Sequence, residues 1–565
     1  MMKHNKYNWL LLVLALVAIN FLASVFHFRF DLTEEKRYSL SEPTKTLLRN
    51  LEEPIHIEVF LKGEFPAGFR KLAVGVEEFL QEMKLYGGNR IQYSFTDPLA
   101  GLADSTAQYV IDSIGYFYEI PAFTLQAPGK VGDAQTQKLV LPGAVVRYRD
   151  TAVGINLLKG EQGLGTEPEQ LAALYNNIEA SMEYKFANAI QKATMENKPS
   201  VGYVLGNGQG WGYNVDDMVR TLISQYDFDT INIKQVPFIP PFDAIVVAKP
   251  TLPFTDQDKI KLDQYVMHGG KILWMIDNMY AEFDSLYKSQ GFVAFDRGLN
   301  LEDILFNYGV RLNQNLLQDM QSDKLPQVST GGSEQMRLVD WPFFPILNGT
   351  QHPISKNLDG VRAMFPNSID TVEAGGINKT VLLQSSTNAR LLEAPAKIDF
   401  EFLQIAPDIR AFQLQNVPVA VLLEGNFRSL YTGRIPAALR DSMAGYNYQF
   451  INQNTSPNKM IVVADGDVAM NQFSPNTGPL QMGTNVFTRY TYANKDFFLN
   501  AMDFLVNPSD ILQSRSKEFR LRLLDPKRTE KEKVKWQLIN IALPILLVIL
   551  FGFLYQHLRK KRFAS

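Results

Sequence analysis

The chain has 565 residues, of which 46% are hydrophobic, 20% charged and 12% aromatic, a globular composition with room for roughly three domains. It contains no cysteine, which excludes disulfide bonds, thiolate metal sites and cysteine nucleophiles. The formal net charge is −3, and because Lys and Arg cluster at both ends, the middle is more acidic still, which argues against nucleic-acid binding.

Two apolar segments, residues 8–26 and 536–554, each run for 19 residues without a charged side chain. About 20 such residues cross a bilayer as a helix. Basic residues lie outside both segments, so the positive-inside rule predicts cytoplasmic termini and places residues 29–535 on the extracytoplasmic side. The lack of cysteine is compatible with a bacterial periplasm, which would make the membrane an inner membrane. The alternatives are a cleaved signal peptide for the first segment and a buried helix of a soluble protein for the second.

A first α/β domain is expected between residues 29 and 198. Residues 41–51 predict a helix with Ser41 as its N-cap. Apolar periodicity then predicts a βαβ unit, followed by a hairpin and a long amphipathic helix. The βαβ unit comprises residues 55–61, 69–86 and 91–95, and the later elements are residues 139–148, 152–158 and 171–192.

A second α/β pattern begins at residue 200, where short apolar strands alternate with amphipathic helices, one of them capped by Thr255. This alternation predicts a mostly parallel, doubly wound sheet. From about residue 327 the sequence becomes β-rich and irregular, and a strand at 459–464 with a helix at 495–506 then resumes the earlier pattern. We expect the β-rich part to be an insertion and the last two elements to close the sheet.

These patterns divide the chain into eight segments. They are a cytoplasmic tip with the first transmembrane helix (1–28), a juxtamembrane helix with the first periplasmic domain (29–198), the first part of the second α/β domain (199–326), a β-rich insertion (327–458), the closing strand and helix (459–510), a stalk (511–535), the second transmembrane helix (536–555) and a basic cytoplasmic tail (556–565).

Candidate ligand-binding residues follow buried strands, where α/β proteins usually bind ligands. A glycine-rich stretch, 206–212, lies between a strand and a helix as a phosphate-binding loop would, but its spacing departs from G-x-G-x-x-G, and a flexible loop is the favoured alternative. Carboxylates after two other strands could bind a cation or simply form turns, and turns are favoured. The candidates are Gly206, Asn207, Gly208, Gln209, Asp277, Asp465 and Asp467.

Motifs for catalysis are missing from the sequence. Gly63–Gly68 matches the first half of a Walker A motif, but Phe69 stands where the lysine must be. The six histidines form no metal-ligand spacing, and there is no G-x-S-x-G elbow. We therefore expect no ATP hydrolysis, no catalytic residue, no metal site and no cofactor.

Several segments in order, between two apolar spans, resemble one known family. They are residues 29–33 (RFDLT), 37–41 (RYSLS), 55–72, 97–98, 201–210, 301–319 and 462–467 (VVADGD). Together they resemble the GldG family, gliding-motility-associated auxiliary proteins of ABC transporters in Bacteroidetes.

The resemblance implies a thioredoxin-like first domain and a Rossmann-like second domain. It also implies a separate cytoplasmic ATPase and a multi-span permease as partners, and a role in gliding motility that is often linked to protein secretion. The family's glycine loop usually contains G-H-G-E. Here Asn207 and Gln209 replace the histidine and the acid, which weakens a catalytic or metal-binding role for the loop.

We therefore expect a non-catalytic, membrane-anchored periplasmic subunit of an ABC transporter complex. Its expected partners are the permease, the ATPase, inner-membrane lipid and a cell-envelope component or cargo, with no nucleic acid. One alternative is an anchored enzyme that acts on glycans or peptidoglycan, for which Asp277, Asp465 and Asp467 are the residues to test. The other is a pure scaffold that links components of the envelope.

Overall fold

A computed structural model describes residues 13–17, 20, 39–65, 67–127, 136–158, 168–289, 291–328, 336–400, 408–435, 437–507, 511 and 526–563. It divides the chain into two units, residues 1–517 and 518–565. The predicted first transmembrane segment (8–26), the residues that follow it to 38 and most of the predicted stalk lie outside the described residues, apart from a few helical positions.

Between residues 39 and 199, the described part of the larger unit contains four α-helices and six strands. They are α1 (Glu42–Arg49), β1 (Ile55–Val59), α2 (Ala67–Gly87), β2 (Ile91–Phe95), α3 (Asp104–Tyr118), β3 (Phe123–Ala127), β4 (Thr136–Val140), β5 (Gly143–Tyr148), β6 (Thr151–Asn156) and α4 (Pro168–Thr194).

A four-stranded sheet in the order β2-β1-β5-β6 organises this part. Strands β1 and β2 are parallel and joined by α2, so the predicted βαβ unit is confirmed, whereas β5 and β6 form an antiparallel hairpin. The predicted strand 139–148 is wrong as a single element, because Pro142 has no N–H to donate and separates β4 from β5. Strand β4 pairs with β3 instead.

The two faces of the four-stranded sheet are covered unequally. Alternation along β1 directs Ile55, Ile57 and Val59 to one face, where they join a large apolar core with residues of α1, α2 and α4. The opposite face has a small core of five buried residues, to which α3 contributes Ile114 and β5 contributes Val145. Helix α3 was not among the predicted elements.

The remainder of the larger unit begins at Ser200. Its elements are β7 (Ser200–Leu205), α5 (Asp216–Gln225), β8 (Asp227–Asn232), β9 (Ala244–Ala248), α6 (Asp256–Met267), β10 (Lys271–Met275), β11 (Met279–Tyr280), α7 (Phe283–Ser289), β12 (Gly291–Asp296), α8 (Glu302–Tyr308), β13 (Val310–Leu312), β14 (Asn315–Asp319), β15 (Ser322–Val328), β16 (Met336–Gly349), β17 (Val361–Arg362), β18 (Ile369–Thr371), β19 (Ile377–Gln384), β20 (Ala389–Glu393), β21 (Ala396–Asp399), β22 (Pro418–Gly425), α9 (Ala437–Gly445), β23 (Asn458–Val463), β24 (Phe473–Ser474), β25 (Gly478–Pro479) and α10 (Asn494–Val506).

A ten-stranded sheet runs through this remainder in the order β15-β16-β19-β22-β23-β10-β9-β7-β8, with β17 paired to β16. Strands β8, β7, β9, β10 and β23 are parallel, and the rest are antiparallel. The prediction of a mostly parallel sheet thus holds for one half only. Strands β16, β19 and β22 come from the predicted insertion, which therefore continues the same sheet, and β23 lies in the middle of it.

Burial explains the parallel half. All five residues of β9 (AIVVA) are buried, as expected for a strand covered on both faces. Thr255 caps α6 as predicted: its Oγ1 accepts from the N–H of Asp258, whose carboxylate accepts from the N–H of Thr255 in return.

Helices α4 and α10 join the two parts of the larger unit. Tyr184 on α4 donates a hydrogen bond to Asn500 Oδ1 at 3.3 Å, and Lys192 Nζ lies 3.2 Å from Asp503 Oδ2 with both side chains largely buried. Residues 195–199 connect α4 directly to β7. Chain connection and buried polar contacts therefore hold the two parts together.

The smaller unit contains one long helix, α11 (Pro526–Phe563), which includes Pro544. Within its residues Glu532–Lys561, the most apolar stretch of 18 residues has a mean hydropathy of 2.5, and the span is long and apolar enough to cross a membrane. None of that window is buried. By length and composition it agrees with the second predicted span.

Candidate functional site

Four parallel strands end side by side at one edge of the large sheet, in the order β23-β10-β9-β7. This edge brings together the glycine loop after β7, Lys249 after β9, Asp277 after β10 and Asp465 after β23. Residues that are far apart in the sequence therefore meet where α/β proteins commonly bind ligands.

Lys249 lies at the centre of a group of carboxylates. Its Nζ donates a hydrogen bond to Asp467 Oδ1 at 2.6 Å and lies 3.2 Å from both Asp277 Oδ2 and Glu282 Oε2. The lysine side chain is only 13% exposed. Sequence reasoning missed Lys249 and Glu282, because a single charged residue after a strand has no pattern that marks it.

Backbone N–H groups hold two of the aspartates. Asp465 Oδ2 accepts from the N–H of Met364 at 2.6 Å, and its Oδ1 accepts from the N–H of Asp467 at 2.7 Å. Asp277 Oδ1 accepts from the N–H of Gly466. Asp277, Asp465 and Asp467 each place an oxygen within 4.8 Å of the others, so the three candidate aspartates form one group.

Burial and charge set the protonation of this group. Burial raises the pKa of Asp465 well above its ordinary value, and the carboxylates of Asp467 and Asp277 raise it further. Burial also raises the pKa of Asp467, to about 7, although Lys249 opposes the shift. Burial lowers the pKa of Lys249, but its carboxylate neighbours outweigh that effect and raise it well above the usual value. The charged form of Lys249 is therefore favoured, whereas the neutral form of Asp465 is favoured relative to a solvent-exposed aspartate.

Glu282 connects the group to a second cation. Arg297 Nη2 donates to Glu282 Oε1 at 2.6 Å, and the arginine is 5% exposed. Burial raises the pKa of Glu282, but Lys249 and Arg297 together lower it below the usual value. Glu282 is therefore ionised between two buried cations.

The backbone is adapted to this arrangement. Lys249 has a φ of 46°, a left-handed conformation that side chains other than glycine rarely adopt. A Cβ on Gly466 would lie 2.7 Å from Lys249 Cβ, so only glycine fits between the two aspartates of the D-G-D turn. Both features bring the β9 and β23 ends into close contact.

The group fits a resident metal ion poorly. Carboxylate oxygens within 4.8 Å of one another are a plausible start for a cation site. Lys249 Nζ, however, is already 2.6 and 3.2 Å from two of the three carboxylates, and its charge would repel a divalent ion. The lysine therefore takes the place that a metal would occupy.

The glycine loop is fastened to the segment after β9. The main-chain oxygen of Asn207 accepts from the N–H groups of Thr251 and Leu252, each at 3.0 Å, and its Nδ2 donates to Pro253 O at 3.0 Å. Gln209 Oε1 accepts from the N–H of Asn207 at 2.7 Å. Both side chains are buried. These bonds hold the loop in place, while Asn207 Oδ1 and Gln209 Nε2 are buried without a hydrogen-bond partner in the described part of the chain.

Glycine is required in the loop for conformation and space. Gly206 has a φ of 116° and Gly208 a φ of 74°, in the left-handed region. A Cβ on Gly208 would lie 2.1 Å from Thr251 Oγ1. Residues 249–253 thus contact both candidate groups, with Lys249 in the carboxylates and Thr251 against the loop.

Exposed aromatic rings border the same edge. Trp211 is 59% exposed and stacks on the buried ring of Tyr203, with ring centroids 6.2 Å apart. The hydroxyl of Tyr203 donates to Gly210 O, which fixes the ring beneath the tryptophan. Tyr213 and Phe473, also exposed, pack together at 5.5 Å. These rings are the accessible part of the edge, whereas the carboxylates lie below the surface.

Comparison with known families assigns the part of the chain that forms the large sheet. A family model described as an ABC-type uncharacterized transport system matches residues 198–501, more than half of the chain. The chain belongs to this family of ABC transporter auxiliary proteins. The matched residues include all of the candidate site residues, from the glycine loop to the D-G-D turn.

Other comparisons add little to this family assignment. A domain of unknown function matches residues 34–147, which include β1, α2 and β2. No curated protein matches the chain. Among solved structures, the mmIFT52 N-terminal domain matches with 11% sequence identity and a TM-score of 0.30. The match covers 55% of this chain and 97% of that domain. A likeness at that level carries no argument about fold or function.

Proposed function

We propose that this auxiliary protein is a non-catalytic, membrane-anchored subunit of a GldG-type ABC transporter complex that serves gliding motility. The family match over residues 198–501 carries the proposal. Phe69 in the place of the Walker A lysine assigns ATP hydrolysis to a separate subunit.

The geometry of the carboxylate group supports a non-catalytic role. A general acid or nucleophile must contact its substrate, but Asp465 is fully buried and Asp277 is 4% exposed. The charge of Asp277 is balanced by Lys249 within the protein. We therefore assign the group to stabilising the strand ends, and the neighbouring surface to contacts with partners.

The proposal includes a specific domain organisation. The order β2-β1-β5-β6, with β1 and β2 parallel, supports a thioredoxin-like domain within residues 29–198. The parallel half of the large sheet supports a Rossmann-like domain formed by residues 199–326 and 459–510. We place both domains in the periplasm of a bacterium of the Bacteroidetes type, between two transmembrane helices with cytoplasmic ends.

Helix α11 offers the surface for a permease. Its apolar side chains are exposed, and its sequence places Asn540 and Gly552 among them. A polar amide inside a bilayer finds a partner on another helix, and glycine allows close approach of backbones. We therefore assign α11 to contact with permease helices and lipid, while the periplasmic part contacts cargo or the envelope.

Purification of the tagged full chain from its native membranes in mild detergent tests this proposal. We expect stoichiometric recovery of one ATPase and one permease, and a chain with Asn540→Leu and Gly552→Leu should recover less of both. A Leu546→Ile substitution on α11 is the matched control and should leave recovery unchanged. Isolation of the chain without an ATPase or permease would contradict the proposal.

A second candidate, glycan recognition, is favoured by the position of Trp211. A rigid, exposed indole at the carboxyl edge is suited to stacking against a flat ligand. If it binds glycan, titration with soluble peptidoglycan fragments should change the tryptophan fluorescence of the full chain but not of Trp211→Phe. Hydrolysis of the fragments would support the enzyme alternative, and no response would leave the scaffold alternative.

A further inference from the structure

Helix α3 combines a small buried contact with a large apolar surface. Of its fifteen residues, all described, only Ile114 is buried. Val110 and Tyr118 are partly buried against the same small core under the sheet. The helix is thus held by few residues, although its composition is apolar.

Three aromatic rings of α3 point to solvent. Tyr109 is 72% exposed, Tyr116 77% and Phe117 73%. Tyr109 and Tyr116 are seven residues apart and therefore lie on the same side of the helix. The rings of Tyr116 and Phe117 meet edge to face, with centroids 5.1 Å apart. Exposed rings grouped in this way mark an interaction surface rather than scattered surface residues.

The acidic charge of this surface lies on the α3 aspartates. Residues 91–129 contain no lysine or arginine, and the cation that a distant segment brings close, Lys495, lies 3.5 Å from Glu119 just past the end of the helix. Asp104 and Asp112 belong to α3 itself, and Asp112 lies one turn before Tyr116 on the same side. Asp112 accepts a hydrogen bond from Gln108, which leaves its charge uncompensated within the helix.

We propose that the exposed face of α3, defined by Asp104, Tyr109, Asp112, Tyr116 and Phe117, binds a basic segment of a partner protein. Lysine or arginine side chains of that segment pair with the two carboxylates and lie over the tyrosine faces. Apolar residues of the segment cover Phe117.

Charge decides against the other occupants. A second copy would bring its own Asp104 and Asp112 against the same residues, without a cation to separate them. An anionic lipid surface would repel the carboxylates, because such surfaces attract basic segments. A basic protein segment satisfies both the rings and the charges.

Site-specific crosslinking tests the proposal on the full chain in its native membranes. A photoreactive phenylalanine analogue replaces Tyr116, and in a matched chain it replaces Tyr446, which is 61% exposed on the other part of the unit. We expect a protein adduct from position 116 whose crosslinked peptide contains at least two lysine or arginine residues, and none with that peptide from position 446.

Two further variants connect the adduct to the face. Asp104→Asn with Asp112→Asn, and separately Tyr109→Ser with Phe117→Ser, should each reduce the adduct at least fivefold while the thermal midpoint of the purified chain stays unchanged. In the chain that keeps Asp104 and Asp112, high salt should reduce the amount of adduct in the same way.

Four results would overturn the proposal. They are an adduct with lipid only, an adduct with a second copy of the chain, an adduct whose peptide has no basic residue, and no adduct at position 116. A fall in the thermal midpoint of the Tyr109→Ser and Phe117→Ser chain would equally show that the rings stabilise this protein itself.

Discussion

The carboxylate group around Lys249 and the exposed face of α3 differ in how their carboxylate charges are compensated. Around Lys249, each carboxylate that lies against the ammonium is buried or half-buried, and the cation comes from the same chain. On α3, Asp104 and Asp112 face solvent beside unburied rings, with no cation in the surrounding sequence. The contrast teaches that internally balanced charge holds a fold together, whereas unbalanced charge beside exposed apolar surface implies a second molecule.

Among the changes considered, removal of the internal cation, Lys249, should lower the unfolding free energy most. Lys249→Met leaves Asp277 and Asp467 buried without their counter-ion, and breaking such a pair costs about 3–5 kcal/mol of unfolding free energy. Denaturant unfolding of the full chain in detergent measures the loss. Added Mg²⁺ should recover part of it in the variant only, because the lysine no longer competes for the carboxylates.

Lys324→Met is the control for that change, since Lys324 is 53% exposed and its carboxylate neighbour is 3.9 Å away. It should alter the unfolding free energy by less than about 1 kcal/mol. Equal losses in the two variants would mean that Lys249 is not a buried counter-ion.

An added methyl group at the D-G-D turn should have the next largest effect. The Cβ of Gly466→Ala would lie 2.7 Å from Lys249 Cβ, and such overpacking costs about 1–3 kcal/mol. Thermal unfolding measures it against Gly375→Ala, whose new methyl group has no neighbour within 4 Å. An unchanged midpoint for Gly466→Ala would show that the two strand ends are not in close contact.

The pH dependence of stability offers a smaller, signed test. Because the pKa of Asp467 is about 7 in the folded chain and near its ordinary value when unfolded, the folded state binds more protons between about pH 4 and 7. This group alone therefore makes the unfolding free energy fall as the pH rises through that window, with no further change above it. Asp467→Asn should remove that contribution to the slope, and a slope identical to that of the parent chain would refute the shifted pKa.

The smallest effect is expected on α3. Tyr116→Ser removes a ring that is 77% exposed, so the unfolding free energy should change by no more than about 0.5 kcal/mol. Chemical unfolding measures this variant and Ile114→Ser, which removes the buried residue of the same helix. The two unfolding free energies then compare an exposed and a buried position of one helix. A large loss from Tyr116→Ser would mean that the ring is buried against this chain.

The sequence was sufficient to predict features that depend on local periodicity. The βαβ unit, the parallel strands around β9 and the cap at Thr255 all follow from apolar spacing and capping chemistry. Asp277, Asp465 and Asp467 could be grouped as candidates because parallel strands end at one edge. Their function stays a prediction.

Features that depend on tertiary packing could not be predicted. The positions of Lys249 and Glu282 follow from strand order, which a single sequence does not contain. The antiparallel half of the sheet escaped prediction because bulges interrupt its alternation, as at Val381–Gln384. The exposure of three aromatic rings on α3 likewise follows from how little of the helix is covered by the sheet, which a single sequence does not contain.

The connection between α4 and β7 has a mechanical consequence. Five residues can extend by no more than about 18 Å, and the ion pair of Lys192 with Asp503 fastens the end of α4 to α10. A 27-residue helix held in this way is a rigid connection between the two parts and not a flexible linker. A displacement of α4 would therefore be passed to α10 and the large sheet through this contact and the short connection to β7.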